Sequence, residues 1–461
     1  MLATEDTGRE KHSLEKPHKI GLGVFLLLVG AAFLVSRGEE PEPAKNPTVA
    51  SANLRLASVS TADRRNIDYQ ALDARLNRLI QEPAMVGLAV GIVENGRITF
   101  LSGYGETLAG SGDRVTPQTV FRWASVSKGV ASTMVAKLEE EGKLSFHSPV
   151  AQYAASLKLP GGAEHRATVG DLLSHRLGLY RNAYDNKLEE GQDTRFLRST
   201  LAQLTLICPP GTCWSYQNVA YDASSEIVEK ITGKPYREAV REALFDPIGM
   251  NSASLTREGL VASKSWARPH NAGRKPLEVL DTYYRVPAAG GVNSNVKDMA
   301  LWMVAQMGQM PAVLSPKLLA TIQAPLVKSP GERRRMRKFL ERVGEADYGY
   351  GWRSYDYAGR RIVGHRGGVA GYRSLILFDP ALKSGVVALW NSNTSQPGGL
   401  EFEVMDMLHK LEFRDWMALD SRPPQAVPPV PETEEAIQDA NVVAANAAGA
   451  GRAEAGAGRR R

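Results

Sequence analysis

The chain has 461 residues, of which 43% are hydrophobic and 23% charged, a composition typical of a folded protein and far from that of a disordered one. Its net charge of +6 is the excess of 56 basic over 50 acidic residues, too thinly spread to form a nucleic-acid-binding surface. Two cysteines exclude a disulfide-rich scaffold, and no spacing typical of a metal site or nucleotide cofactor occurs, so we expect neither a metal nor a cofactor.

The first apolar segment determines the compartment that we predict. Residues 20–36, IGLGVFLLLVGAAFLVS, carry no charge and are at the short end of the length that spans a bilayer. Basic residues precede the segment and no Ala-x-Ala cleavage site follows it, which favours an uncleaved signal-anchor with residues 1–19 in the cytoplasm. The chain is then a single-pass protein of the inner (cytoplasmic) membrane with its folded part in the periplasm. A cleaved signal peptide and a buried core helix are the alternatives.

Composition divides the rest of the chain into a linker, one folded domain and a tail. Residues 37–65 contain a Pro/Glu-rich spacer that we expect to stay extended. Residues 66–420 carry the strand and helix patterns and form the predicted domain. Residues 421–461 open with several prolines, continue into Ala/Gly-rich sequence without apolar periodicity, and are predicted to be disordered.

Strand patterns lie at both ends of the domain. Two apolar runs, 86–93 and 98–101, are joined at Asn95-Gly96, which predicts a hairpin, and a second pair spans 372–378 and 385–390. Helical patterns lie between them, over Val126–Glu141, Asp222–Ile231 and Tyr236–Phe245, and the middle of the chain, about residues 150–285, is predicted to be a mostly helical lobe. Strands at both ends with helices between them favour an α+β fold.

The first motif with chemical meaning lies at the start of the predicted helix 126–141. Ser125 and Lys128 are three residues apart, so on a helix their side chains are neighbours. A serine hydroxyl becomes a nucleophile when a base removes its proton, and a buried lysine can serve as that base. An N-terminal capping role for Ser125 is the alternative when this motif is considered alone.

Two later motifs favour the nucleophile over the capping role for Ser125. Tyr216 and Asn218 form a Tyr-x-Asn pattern, which combines a phenol able to transfer a proton with an amide able to orient neighbouring groups. His365-Arg366-Gly367 precedes a strand pattern, where a glycine lets a substrate backbone approach an edge strand closely and its N–H group can join an oxyanion hole. Each motif alone also fits a surface loop or a glycine-rich turn, but the three in this order favour one catalytic site.

With these motifs the chain resembles the class C β-lactamase-related and penicillin-binding-protein-like serine hydrolases. Ser125–Lys128 matches their nucleophile motif, Tyr216–Asn218 their second motif, and His365–Gly367 the His-x-Gly form of their third. The resemblance covers about residues 70–412, with supporting segments at 172–179, 289–294 and 348–352. It implies a β-lactamase/transpeptidase-like fold, an antiparallel sheet flanked by helices beside the helical lobe, with the site in the cleft between.

The resemblance also implies a role for each site residue. Ser125 would be acylated, Lys128 would accept its proton or tune the acceptor, and Tyr216 would be the general base and then the acid for the leaving group. Asn218 would orient the lysine and the substrate amide. Residues of the third motif, His365, Gly367 and Gly368, would contact the substrate, with the N–H of Gly368 and that of the nucleophile forming the oxyanion hole.

Two departures from the family pattern leave the substrate open. The third motif lacks its usual lysine, and Arg366 stands where a hydroxyl residue is common. If Arg366 faces the cleft, it can bind a carboxylate in bidentate fashion; if strand alternation turns it away, it has no role there. A small-molecule or peptide substrate, whether D-peptide, ester or β-lactam, is expected. A penicillin-recognising sensor or an inactive binding protein of the same fold is the alternative.

Two further features carry expectations of their own. Cys208 and Cys213 flank Pro-Pro-Gly-Thr just before Tyr216, and in an exported chain we predict that they form a disulfide, whereas a cytosolic chain would keep two free thiols. The basic run 333–338 is interpreted as a solvated loop, with contact to anionic lipid or cell-wall polymer as the alternative.

Overall fold

The computed structural model describes residues 66–421, which are built around two antiparallel β-sheets. The strands are β1 (Gly87–Glu94), β2 (Arg97–Gly105), β3 (Val120–Arg122), β4 (Asn293–Asn295), β5 (Val327–Lys328), β6 (Val343–Tyr348), β7 (Arg353–Tyr357), β8 (Arg360–Val369), β9 (Tyr372–Asp379) and β10 (Ser384–Trp390). Eight of them form the main sheet in the order β2-β1-β10-β9-β8-β7-β6-β5, and β3 pairs with β4. The antiparallel sheet implied by the family resemblance is confirmed.

The main sheet joins both ends of the domain. β1 pairs with β10 in antiparallel register, with Leu88 opposite Trp390. The turn between β1 and β2 has positive φ at Asn95 and Gly96, 52° and 76°, which suits the right-handed twist of a two-residue hairpin. Both predicted strand pairs are therefore confirmed, and they become neighbours through β1 and β10.

The described residues also form α-helices, which pack on the faces of this sheet or on one another. They are α1 (Tyr69–Leu79), α2 (Ser127–Glu140), α3 (Val169–Leu173), α4 (Asp185–Glu189), α5 (Thr194–Thr200), α6 (Ala223–Thr232), α7 (Tyr236–Val240), α8 (Asp246–Ile248), α9 (Arg257–Val261), α10 (Pro287–Gly290), α11 (Val296–Gln306), α12 (Pro316–Ile322), α13 (Pro330–Arg335) and α14 (Leu400–His409). One core lies between the sheet and α2 with α11, and a second between its other face and α1 with α14. Alternation along each strand sends neighbouring side chains into different cores.

The helical lobe is confirmed. In the described chain, β3 ends at Arg122 and β4 begins at Asn293. Every regular element between them is a helix. The helix expected over 126–141 is observed as α2, and that over 222–231 as α6. The third, expected over 236–245, begins as α7 and continues as a π-helical turn, Arg241–Phe245.

Several predictions fall on residues that the structure does not describe. They are the cytoplasmic segment 1–19, the anchor 20–36, the linker 37–65 and, apart from its first residue, the tail 421–461. Between residues 66 and 421, no helix has both the length and the apolar character needed to cross a bilayer.

Candidate active site

Ser125 lies in a short 3₁₀ turn, Ala124–Val126, that leads directly into α2. Ala124 has a φ of 48°, a left-handed conformation that costs a non-glycine residue about 1–2 kcal/mol. The turn is held in part by Trp123, whose carbonyl oxygen accepts a hydrogen bond of 2.6 Å from Ser374 Oγ on β9. Ser125 is partly exposed, and its hydroxyl makes no hydrogen bond within residues 66–421. The hydroxyl is therefore free to meet a ligand.

Gly367 allows β8 to approach this turn. A Cβ atom at position 367 would overlap the carbonyl oxygen of Trp123 and lie 3.1 Å from the Cβ of Ala124. The glycine that the sequence assigned to substrate approach thus accommodates the backbone that carries Ser125. The third motif and the nucleophile turn are in direct contact because this side chain is absent.

The backbone N–H of Gly368 points to the free edge of β8. Val369 and Tyr372 flank a two-residue hairpin loop and so form a hydrogen-bonded pair. Hydrogen-bonded pairs recur at every second residue of an antiparallel ladder, so Gly367 and Ser374 form the next one. Gly368 lies between these pairs, which directs its N–H away from β9. On that side β7 reaches only as far as the pair Arg353–Gly364, so the N–H has no partner among the described strands.

Lys128 is fully buried one turn beyond Ser125. Its Nζ donates to Asn218 Oδ1 at 2.6 Å and to the Ala289 carbonyl at 3.0 Å, and it lies 4.6 Å from the centre of the Tyr216 ring. These contacts bring together three segments of the chain. The lysine and both residues of the Tyr-x-Asn motif therefore form one cluster.

Tyr216 differs from its neighbour Tyr221 in what its hydroxyl contacts. Tyr221 Oη donates to the carbonyl oxygen of Lys128 at 2.9 Å. Tyr216 Oη is buried and has no hydrogen-bond partner in the described part of the chain. Such a group is rare in native proteins because its desolvation costs about 1–3 kcal/mol, and it is typical of a functional site.

Asp185 orients the asparagine, and the sequence analysis missed it. Asn218 Nδ2 donates to Asp185 Oδ2 at 2.7 Å, which leaves the amide oxygen for Lys128. Burial raises the pKa of the Asp185 carboxyl, and the hydrogen bond from Asn218 and the charge of Lys128 oppose that rise. Asp185 stands at the start of a short helix and belongs to no recognised motif, so the sequence carried no signal for it.

His365 lies on the same face of β8 as Gly367 and is linked to a second histidine. Its Nε2 is 3.2 Å from Tyr348 Oη, which is also 3.2 Å from Nε2 of His175. Burial and the charges of Arg353 and Lys128 lower the pKa of His365 well below its usual range. Burial, followed by Lys128 and His365, lowers the pKa of His175 in the same way. Both rings are therefore uncharged at neutral pH.

Arg366 lies on the opposite face of the sheet. It pairs with the buried carboxylate of Glu401 and lies 5.7 Å from the ring of Phe402, both on α14. Of the two alternatives for Arg366, the structure realises the one in which strand alternation turns the side chain away from the site.

Two other guanidinium groups flank Tyr216 instead. Arg353 and Arg181 lie 5.7 and 5.5 Å from the centre of its ring. Arg353 is buried and pairs with Glu332 at 2.5 Å. Arg181 is exposed and makes no hydrogen bond or ion pair with the described residues, so its charge is available to a ligand.

The disulfide predicted from the sequence is present. Cys208 and Cys213 are bonded, with their Cα atoms 6.3 Å apart. The loop that they close is tied to the segment containing His175, because the Gly211 N–H donates to the Arg176 carbonyl at 2.7 Å. The cross-link therefore restrains the chain immediately before Tyr216. Among residues 66–421 no group of three His, Cys, Asp or Glu side chains is placed to hold a metal ion.

Comparisons with known proteins show which family and which relatives the chain resembles. The β-lactamase family pattern matches residues 72–406. Unguisins hydrolase ungD of Aspergillus violaceofuscus is 26% identical over 74% of this chain and 65% of its own length. Penicillin-binding protein 4 of Amycolatopsis lactamdurans is 28% identical over 71% of this chain and 85% of its own length. Esterase EstB of Burkholderia gladioli is 28% identical over 46% of this chain and 57% of its own.

A solved structure supports the fold. The octameric penicillin-binding protein homologue from Pyrococcus abyssi superimposes with a TM-score of 0.68 at 24% identity, covering 76% of this chain and 80% of that one. The chain spans just under two thirds of the length of the fungal hydrolase. The family match covers most of the described residues and identifies the chain: it belongs to the β-lactamase family.

Proposed function

We propose that this protein is a membrane-anchored hydrolase that cleaves an ester or amide outside the cytoplasm through an acyl-enzyme on Ser125. The observation that carries the proposal is the placement of a partly exposed hydroxyl one turn before the fully buried ammonium of Lys128. That ammonium lies against the ring of Tyr216, and neither hydroxyl has a hydrogen-bond partner among residues 66–421. These contacts support the assignment of nucleophile, base and orienting group to one site.

In the acylation step Ser125 Oγ attacks the carbonyl carbon of the substrate. Its proton passes to Tyr216 or Lys128, which lie against each other, and then to the leaving alcohol or amine. The N–H groups of Ser125 and Gly368 stabilise the negative charge on the carbonyl oxygen. Water repeats the sequence on the acyl-enzyme and releases the acid.

The location outside the cytoplasm rests on two features. Residues 20–36 are apolar and follow basic residues, as in a signal-anchor. The bonded cysteines fit an oxidising compartment, since cytosolic chains rarely keep a structural disulfide. A reporter that requires export, fused after residue 461, should be active and should lose activity when residues 20–36 are deleted. Equal activity of both fusions would contradict the anchor.

Labelling with a fluorophosphonate tests the acyl-enzyme. We expect the full chain to gain one adduct on Ser125 and the Ser125→Ala variant none, with the unfolding free energy changed by about 1 kcal/mol or less. Turnover of nitrophenyl esters, a D-Ala-D-Ala peptide and penicillin then separates the substrates. Label without turnover of any of them would favour the penicillin-recognising sensor, and turnover by the alanine variant would refute the assignment of Ser125.

A further inference from the structure

An unbroken chain of hydrogen bonds connects the second motif to the third. It begins at the Gln217 N–H, 3.2 Å from His175 Nδ1, and passes from His175 Nε2 to Tyr348 Oη. From there it reaches His365 Nε2 and ends where His365 Nδ1 meets the Arg366 carbonyl at 2.8 Å. The segments that it joins are about 150 residues apart in sequence.

The two ends of this chain determine where every proton lies. A backbone N–H can only donate, so His175 Nδ1 accepts and its proton is on Nε2. A carbonyl can only accept, so His365 Nδ1 carries the proton and its Nε2 accepts. Tyr348 Oη therefore receives a hydrogen bond from His175 and donates one to His365. Each donor has an acceptor only when both rings are neutral.

An additional proton would break this order. On His175 it would face the N–H of Gln217, and on His365 it would face the hydroxyl proton of Tyr348. The surroundings oppose that proton too, since they are mainly cationic or neutral: Lys128 on α2, Arg181 after α3, Arg353 on β7 with its partner Glu332 on α13, and the phenols of Tyr216 and Tyr221.

We propose that His175 and Tyr348 are positioning residues that act through His365, fixing the β8 backbone next to Gly368 relative to Tyr216. The inference rests on the proposed function. In this arrangement both ring nitrogens of His365 are bonded to protein groups, so His365 sets geometry and its ring supplies no charge to the substrate. Displacement of a catalytic group by 1 Å can lower the rate about 100-fold. Loss of this chain of hydrogen bonds should lower the rate by an amount of that order.

The proton order can be tested without any variant or substrate. Magic-angle-spinning NMR of the full chain with isotope-labelled histidine distinguishes the two neutral tautomers of each ring. We expect, at pH 7.5, His175 with its proton on Nε2 and His365 with its proton on Nδ1. The opposite tautomer at either ring, or a doubly protonated ring, would overturn the proposal even if Ser125 is acylated. Failure of Ser125 to label leaves this spectrum as an independent measurement.

The positioning role is tested with Tyr348→Phe against Tyr350→Phe. Tyr350 lies two residues away and makes no side-chain hydrogen bond within residues 66–421, so its variant controls for loss of a phenol. With a nitrophenyl ester we expect Tyr348→Phe to lower kcat about 10- to 100-fold with KM within threefold. The acid limb of its pH–rate profile should move up by about one unit, because His365 Nε2 loses its donor and binds a proton more easily.

A merely structural tyrosine would behave differently. If Tyr348→Phe lowers the amount of folded protein but leaves the activity per acylatable site unchanged, with sites counted by fluorophosphonate, the proposal is overturned. An unshifted acid limb of its pH–rate profile would also overturn it. If Tyr348→Phe does not fold, His175→Gln serves instead: we expect the same upward shift, because the Tyr348 hydroxyl then loses the hydrogen bond that orients it toward His365.

Discussion

The two faces of β8 show how adjacent residues acquire opposite roles. His365 lies on the site face, where burial and cations keep it neutral and both nitrogens are bonded to protein groups. Arg366 lies on the far face, where it keeps its charge and pairs with Glu401. The third motif of the family usually presents a cation to the cleft; in this chain the cation in the motif belongs to the far core. Strand alternation, more than residue type, decides which side chain can take part in chemistry.

The largest effect should come from the glycines of the same strand. At position 367 a Cβ would displace the backbone of Trp123 and with it the turn that carries Ser125, so Gly367→Ala should lower kcat/KM at least about 100-fold. At position 368 a Cβ meets only the flexible side chain of Arg373, so Gly368→Ala should cost less than about tenfold. Ester hydrolysis with both variants measures the contrast. Equal losses would show that the two faces do not differ in this way.

On the far face, Arg366→Gln should affect stability and spare activity. Its removal leaves the carboxylate of Glu401 buried without its partner, which we expect to cost about 1–3 kcal/mol of unfolding free energy. The activity per folded molecule should stay within twofold. Denaturant unfolding measures the loss, and Glu401→Gln in the same background should recover part of it. A tenfold fall in kcat/KM would place Arg366 in the catalytic machinery.

Arg181 should show the reverse behaviour, because it is exposed, lies beside Tyr216 and makes no hydrogen bond or ion pair with residues 66–421. We expect Arg181→Gln to lower kcat/KM for an ester bearing a carboxylate about tenfold, and for its neutral methyl ester less than twofold. Stability should change by less than about 0.5 kcal/mol. Arg237→Gln removes an exposed guanidinium from α7 and is the matched control. Equal losses with both esters would remove Arg181 from substrate selection.

The last prediction concerns the stability of the neutral site face at low pH. Because the folded-state pKa of His175 and of His365 lies below the unfolded value of about 6.5, the unfolded chain binds protons first as the pH falls. Stability present above pH 6.5 should therefore be lost below it, by up to about 1.4 kcal/mol per pH unit for each ring. His365→Gln should reduce the slope of unfolding free energy against pH by the contribution of one histidine ring. An unchanged slope between pH 5 and 6.5 would contradict a buried neutral His365.

Parts of this site could be predicted because they depend only on residues that are close in sequence. Ser125 and Lys128 are neighbours through helical periodicity, and Cys208 and Cys213 are close enough in sequence to meet in a short loop. Asp185 and Arg181 were missed, since neither belongs to a spacing pattern. Tyr348 was noted only within a supporting segment, because no nearby residue in the sequence indicates that its hydroxyl contacts His175 and His365.

The amino-acid sequence by itself determined which elements form, the order of the three motifs and the family to which they belong. Turn sterics at Asn95-Gly96, apolar periodicity and residue spacing act over a few residues and are legible without a fold. Only the tertiary structure decided that Arg366 faces away, that Lys128 is held by the Ala289 carbonyl, and that Tyr348 joins two histidines. Those outcomes depend on the register of paired strands and on contacts between distant segments, which no local pattern encodes.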